Sequence, residues 1–507
     1  MQALCCVCVT AIAQTPVSTT SLKWSLVPVL LHDQIMEVST HNSSGSANTE
    51  GIATGILKVN DNSIIANIQI DKNSYGVVRL NKDLSTQWLD NIDGYPIAIG
   101  DFNNNVLAIA STEKSSYKGN NNTYVGYIID KNTGKVILQK VFYTSSDELY
   151  EQPVFLFSPD GSFFKMAIRT STLTRKAHFG YAFNINKGMA AFFDTKEFKV
   201  IDFNTTLDVS NTINPVLQDG FFIGATTNKN GDIFTMTDYE QGYIEIARYE
   251  KGKTIANKVL KLPISMSDEI LNNLSNTYLF TSKSDPSKLL FAMIYRNANN
   301  DKELVNAKFN FKTGSVDHNT QIIDKQYLKD LKKSYVPFDK KFDDVDLGNK
   351  DNMQIRNVIE NDGKLIIALS SFTTSSGNSS RIAAYDILVN IYDDKANLQY
   401  QQIVPRSYAA SYILYTGIGL HCKNNILYLT ANNNKGIIGY KTIYSQIDLN
   451  SGNVLKITGV SKDGIKNSYA ANPNATIWFD DQFIQSYIEE RGLYDGSEDA
   501  HMQLLNY

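Results

Sequence analysis

The sequence predicts an all-β fold, a single closed β-propeller of eight four-stranded blades, from three observations. A hairpin of strand, polar turn and strand recurs along the 507 residues. A second, more amphipathic hairpin follows each of the first seven copies. An N-terminal strand without a hairpin partner matches a missing strand at the other end. Hydrophobic content of 42%, with 28 Tyr and 24 Phe, supplies both core and strand formers.

The first hairpins are LKVNDNSIIANI from Leu57, AIGDFNNNVLAIAS from Ala98, VFLFSPDGSFFKMAI from Val154 and GATTNKNGDIFTMT from Gly224. Then come FTSKSDPSKLLFAMI from Phe280, NVIENDGKLIIALS from Asn357, GIGLHCKNNILYLTA from Gly417 and ATIWFDDQFIQSYI from Ala475. Asn, Asp, Gly or Pro fills each turn, where positive φ or a side-chain cap is needed. The strand after each turn is a near-continuous apolar run, as a strand buried on both faces should be.

The second hairpins include VVRLNKDLSTQWL, YIIDKNTGKVILQKVF, AAFFDTKEFKVIDF and IARYEKGKTIANKVL. AKFNFKTGSVDHNTQII, VNIYDDKANLQYQQIV and SQIDLNSGNVLKIT complete the set. They alternate apolar and polar residues, the pattern of strands nearer solvent. Two hairpins make a four-stranded antiparallel blade. The eighth unit lacks one strand, and SLKWSLVPVLL (21–31) is expected to complete it and close the ring. A seven-bladed ring is the alternative count.

Residues 1–13 read as a signal peptide truncated at its start, with an apolar run ending in Ala11-Ile12-Ala13 and cleavage before Gln14. The propeller domain is then 14–507, with 324–351 as an insertion between blades. The chain is therefore expected to be exported, to the periplasm, the cell surface or the medium. Cleavage would leave Cys422 as the one cysteine, and no internal disulfide could form. The N-terminal apolar run is too short to span a membrane, and no stretch of about 18 apolar residues occurs elsewhere. Net charge is −4, with 48 basic and 52 acidic residues well mixed, so no basic stripe for nucleic acid is present.

The tails IDKNTGKVILQ and IDLNSGNVLKI resemble the repeats of quinoprotein-like (PQQ-like) eight-bladed propellers, and FSPDGSFF resembles the first hairpin of TolB-like and WD40-like propellers. What the resemblance implies is the fold, because these motifs are turn chemistry shared by many propellers. An active quinone enzyme of that family would need an adjacent-cysteine disulfide, which a mature chain with one cysteine cannot form.

Function should sit on the face bearing the longer connections, such as 112–122, 171–188, 371–381 and 489–499. Ends of the second strands place Glu113, Arg169, Asp238, Tyr239, Tyr295, Arg296 and Glu489 at a candidate rim, with His178 in the long loop of blade three. Mixed charge with aromatics suits a polar ligand such as a glycan or a peptide. His421 and Cys422 fall on opposite faces of a strand, and no metal-ligand spacing, nucleophile elbow or phosphate loop is present. The expectation is a monomeric, non-enzymatic binding or scaffold propeller, with no cofactor, no metal and no assigned catalytic residue, recognising a protein or glycan. A hydrolase or lyase acting on polysaccharide or peptide in the channel is the alternative, because paired carboxylates from different blades leave no local spacing.

Overall fold

The computed structural model describes residues 18–21, 55–70, 75–112, 123–145, 150–158, 160–171, 195–214, 221–239, 242–264, 277–297, 299–375, 381–410, 416–433, 440–461, 468–490 and 498–507. Their strands form eight separate antiparallel sheets. Blade 1 shows the pattern: Ile56–Asn60, Ser63–Gln69, Tyr75–Asn81 and Thr86–Ile92 pair in chain order. Blades 2 to 7 repeat it over residues 95–144, 150–213, 221–263, 277–322, 353–404 and 418–461.

Burial follows the sequence pattern. The second strands are buried almost throughout, as in Lys288–Arg296, because blades pack on both their faces. The fourth strands alternate, as in Ser315–Ile322. Eight apolar clusters lie one at each blade interface. The cluster joining Ile64 and Val78 of blade 1 to Phe479 and Ile484 of blade 8 completes the ring. Eight blades, rather than seven, is therefore the count.

Blade 8 departs from the pattern. Its innermost strand is split into Ser468–Ala471 and Ile477–Trp478 by a 3-10 turn at Pro473–Ala475. Gln482–Glu490 and Glu498–Asn506 follow, and Ser18–Ser21 pairs antiparallel with His501–Leu504 as the outermost strand. The pairing strand thus starts before the expected segment and shares only Ser21 with it; residues 22–31 and the proposed leader 1–13 lie outside the described residues.

One hairpin turn lies elsewhere than expected. In blade 3 the third strand is Thr195–Phe203, and the chain reverses at Asn204–Asp208 instead of near Asp194. The turn contains no glycine: Leu207 holds the left-handed position, φ 57°. Its side chain is buried over Gly126 of blade 2, where any Cβ would lie 2.4 Å from Leu207 Cδ1. Packing across the interface overrides the local preference of the turn.

The insertion carries a helix, Lys325–Ser334, capped at its N-terminus by Asp324, whose carboxylate accepts from the Tyr327 N–H at 2.7 Å. Leu328 is buried, and Tyr327 and Leu331 pack on the cluster between blades 5 and 6.

Candidate functional site

The tight turns between first and second strands, and between third and fourth, open onto one face. There, basic side chains reach from one blade to a backbone carbonyl in the next. Arg79 donates to the Lys131 carbonyl at 2.6 Å, Lys140 to that of Thr206 at 3.1 Å and Lys258 to that of Phe311 at 2.7 Å. Lys308 donates to the carbonyls of Gly363 and Asp393, Lys364 to that of Leu449 at 2.9 Å and Lys423 to that of Asp480 at 2.6 Å. Turn glycines act as platforms in the same belt. Gly134 (φ 76°) lies under the Trp88 ring of blade 1, leaving a Cβ only 2.7 Å from it.

At the junction of blades 8 and 1 the direction reverses. Lys58 of blade 1 donates back to the Trp478 carbonyl at 3.1 Å, and Lys82 meets Asp481. The Asp480-Asp481 turn therefore takes a cation from each neighbour, Lys423 on one side and Lys82 on the other. This pair is an architectural clasp. The charged groups of the tight-turn face are largely spent on the ring.

At the opposite face stand the strand ends from which the longer connections leave, and blade 6 has the longest of the described strands there. Its second and third strands, Lys364–Ser375 and Arg381–Tyr392, are twelve residues each, and Tyr408–Ala410 adds a third strand to their extension. Residues 371–375, expected as loop, continue the strand; Phe372-Thr373-Thr374 are good strand formers.

A buried network anchors this extension. Arg406, fully enclosed, donates to the Tyr385 carbonyl at 3.0 Å, the Thr416 carbonyl at 3.0 Å and Ser370 Oγ at 2.7 Å. Burial pushes its guanidinium down to about 9, still protonated at neutral pH. The Asp386 carboxylate accepts from the Arg406 and Asp346 backbone N–H groups, tying the insertion to the blade. Beside it, Arg356 is the extra residue at the innermost strand's irregularity between Ile355 and Asn357. It donates to Thr416 Oγ1 at 2.8 Å and sits 5.8 Å from the Phe372 ring centroid. No periodic signal marks Arg356 or Arg406, since a bulge and a post-strand residue break the alternation.

The structure places the expected rim residues as follows. Arg169, Asp238 and Glu489 stand near the ends of second strands, with Arg169 opposite Gln152 and Phe198, Asp238 opposite Phe221 and Ile244, and Glu489 opposite Tyr469 and Asp499. Glu113 and His178 lie outside the described residues. Tyr239 is half-buried, stacks on Tyr243 at 5.0 Å and donates to Glu245 at 3.5 Å. Burial, then the Glu245 charge, pushes its phenol up to about 12.

Tyr295 and Arg296 are not brought together. Tyr295 is 2% exposed inside the cluster between blades 4 and 5, where burial and then Glu303 push its phenol up. Arg296 points to the other neighbour and pairs with Asp351, 3.2 Å away at the entry to blade 6. Beside it Lys302 donates to the Met353 carbonyl at 2.7 Å, and burial, then Arg296, pushes its ammonium down to about 8. Consecutive strand residues face opposite sides. In a propeller each side is another blade.

His421 and Cys422 divide in the same way. His421 stacks on Trp478 at 5.4 Å, and burial pushes its imidazole down to about 4. Cys422 packs on the cluster between blades 6 and 7, and burial pushes its thiol up to about 12. The imidazole is neutral and the sulfur protonated at neutral pH, so the pair is not an activated nucleophile. Among the described residues no three His, Cys, Asp or Glu side chains converge as a metal site.

No protein-family model and no curated protein sequence matches the chain. Some solved structures are similar to it. BamB from Moraxella catarrhalis is similar over 97% of this chain and 100% of its own, at 9% identity and a TM-score of 0.44. The WD40 domain of SCAP from fission yeast is similar over 89% and 94%, at 9% identity and a TM-score of 0.39. The β-propeller domain of the Trilobed protease from Pyrococcus furiosus is similar over 80% and 97%, at 12% identity and a TM-score of 0.35. The likeness is one of fold.

Proposed function

We propose that the chain is an exported, non-enzymatic binding or scaffold propeller that recognises a polar ligand or protein partner on its long-loop face. The observation that supports this reading is the unequal use of the two faces. One is closed by tight turns whose lysines, arginines and aspartates clasp neighbouring blades. The other carries the long connections and the projecting strands of blade 6. Export rests on the apolar N-terminal run and its small-residue end.

Glycan-array and pull-down assays on the chain from Gln14 test the reading. Arg169→Ala should weaken capture about tenfold or more. Arg296→Ala is compared with Asp351→Asn, which breaks the same ion pair from the other side. Loss in the first alone assigns Arg296 to the ligand, and equal loss in both assigns it to the architecture. Capture unchanged in Arg169→Ala and Arg296→Ala would remove the long-loop rim as the binding surface.

A further inference from the structure

The outer wall of blade 6 carries a feature that the long-loop face does not explain. A cleft of about 340 Å³ opens between the inter-blade insertion and the outermost strand, Leu398–Val404. Its volume is at the lower end of the range for ligand pockets. One wall is the stretch from Ser334 to Phe338; Asn453 and Val454 of blade 7 form the other. Its floor is Gln401, Gln402 and Ile403. Three consecutive strand residues can line one cavity only along the strand's edge, because their side chains alternate between faces. The cleft therefore opens onto the backbone edge of the blade.

Among the described residues that edge is unpaired. The described backbone hydrogen bonds of Leu398–Val404 run to Arg381–Tyr392, and none is described on its outer side. Five other outermost strands carry a charge: Asp90, Lys140, Lys258 with Lys261, Asp317 and Lys456, of which Lys140, Lys258 and Lys456 also reach a neighbouring blade's carbonyl. The remaining two, Val209–Ile213 and Ser18–Ser21, are five and four residues long. Leu398–Val404 has seven residues, LQYQQIV, and no charge. Beside it Val336 is 78% exposed and Phe338 40%, apolar side chains that the chain's own packing leaves in water. The helix above ends in Lys332 and Lys333, both exposed.

We propose that this wall is a docking site for an extended segment of a partner protein, which pairs with Leu398–Val404 as a fifth strand, sets an apolar side chain against Val336 and Phe338, and carries acidic residues toward Lys332 and Lys333. Backbone pairing supplies affinity in such strand addition, and the cleft selects the side chain. The site is separate from the long-loop face, so either can fail without the other.

A display library of random peptides, selected on the full chain and counter-selected on Val336→Asp/Phe338→Asp, tests it. Both substitutions are at exposed positions outside the blades, and unchanged circular dichroism verifies folding. Enriched peptides should alternate apolar residues and carry Asp or Glu, with binding at least tenfold weaker to Val336→Asp/Phe338→Asp. Lys332→Glu/Lys333→Glu should weaken it several-fold and reduce its salt dependence. Amide exchange at 398–404 should slow on addition of an enriched peptide. Peptides that bind Val336→Asp/Phe338→Asp as tightly as the unaltered chain, basic consensus sequences, or binding without slowed exchange would each overturn the proposal. So would protection of 398–404 in the free monomer, which would assign the cleft to a segment of this chain. Dimers dissociated by Val336→Asp would assign it to a second copy.

Discussion

Lys82 and Asp481 are 399 residues apart in sequence and meet at 2.5 Å, joining blade 1 to blade 8. The contact is the only one of the clasps described above in which the earlier blade reaches back to the last as an ion pair. Lys82 is mostly covered and Asp481 mostly exposed, so the pair alone contributes about 0.2–1 kcal/mol. Its placement matters more than its strength, because it sits where the two ends of the repeat array are held together.

Acid should destabilise the chain in two stages. Burial against Trp478 lowers His421 from 6.5 to about 4, so the unfolded chain binds more protons between these values. Stability is fully present above the unfolded value and falls as pH drops through that window. Below 3.8 the turn aspartates add their loss, as with Asp130, which the Thr133 backbone N–H holds below its ordinary value. Unfolding free energies from urea titrations at pH 7 and 4.5 should differ by on the order of 2–3 kcal/mol from His421. His421→Phe should flatten this first stage; an unaltered slope would show that the imidazole is accessible.

Gly161→Ala should destabilise the fold and leave binding unchanged. Gly161 has φ 70°, and a Cβ there would lie 2.8 Å from Asp101 Cβ of blade 2. Its carbonyl accepts from the Asn103 N–H at 2.7 Å, so the turn cannot retreat without breaking an inter-blade bond. The expected cost is about 1–3 kcal/mol by chemical denaturation. A wild-type midpoint would mean that the turn relaxes freely.

A chain beginning at Leu22 should melt lower and associate. Removing Ser18–Ser21 leaves Glu498–Asn506 as a free edge in blade 8. Calorimetry together with size-exclusion at two concentrations measures both effects. An unchanged melting temperature and a monomeric profile would show that the ring is held without its N-terminal strand.

Arg406→Met should cost about 3–5 kcal/mol, because it leaves the Tyr385 and Thr416 carbonyls and Ser370 facing a hydrocarbon. Arg406→Lys should recover only part, since an ammonium cannot span three acceptors set by a planar fork. Amide exchange at 381–384 reports whether the extension loosens. Exchange unchanged in Arg406→Met would separate the network from the projecting strands.

The blade count was legible because turn residues and apolar runs recur, and Ser158–Gly161 is the clearest instance. The Leu207 turn was not legible: its partner is the bare backbone of Gly126 in another blade, a relationship without sequence spacing. The rim was legible as backbone positions only. Tyr295 and Arg296 are neighbours in the chain and belong to different interfaces, because alternation within a strand becomes separation between blades. The Asp480-Asp481 turn lies on the tight-turn face as its hairpin implies, and its role emerges only with both flanking lysines in place.

That turn also bears on assembly. Seven blades without the eighth would present Lys82 on one flank of a gap, beside Lys58 paired with Asp61, and Lys423 and Lys456 on the other. Lys82 and Lys423 would lack their carboxylate partners until the eighth blade docks. The last blade arrives with carboxylates for both sides, so the step that fills the gap also discharges it.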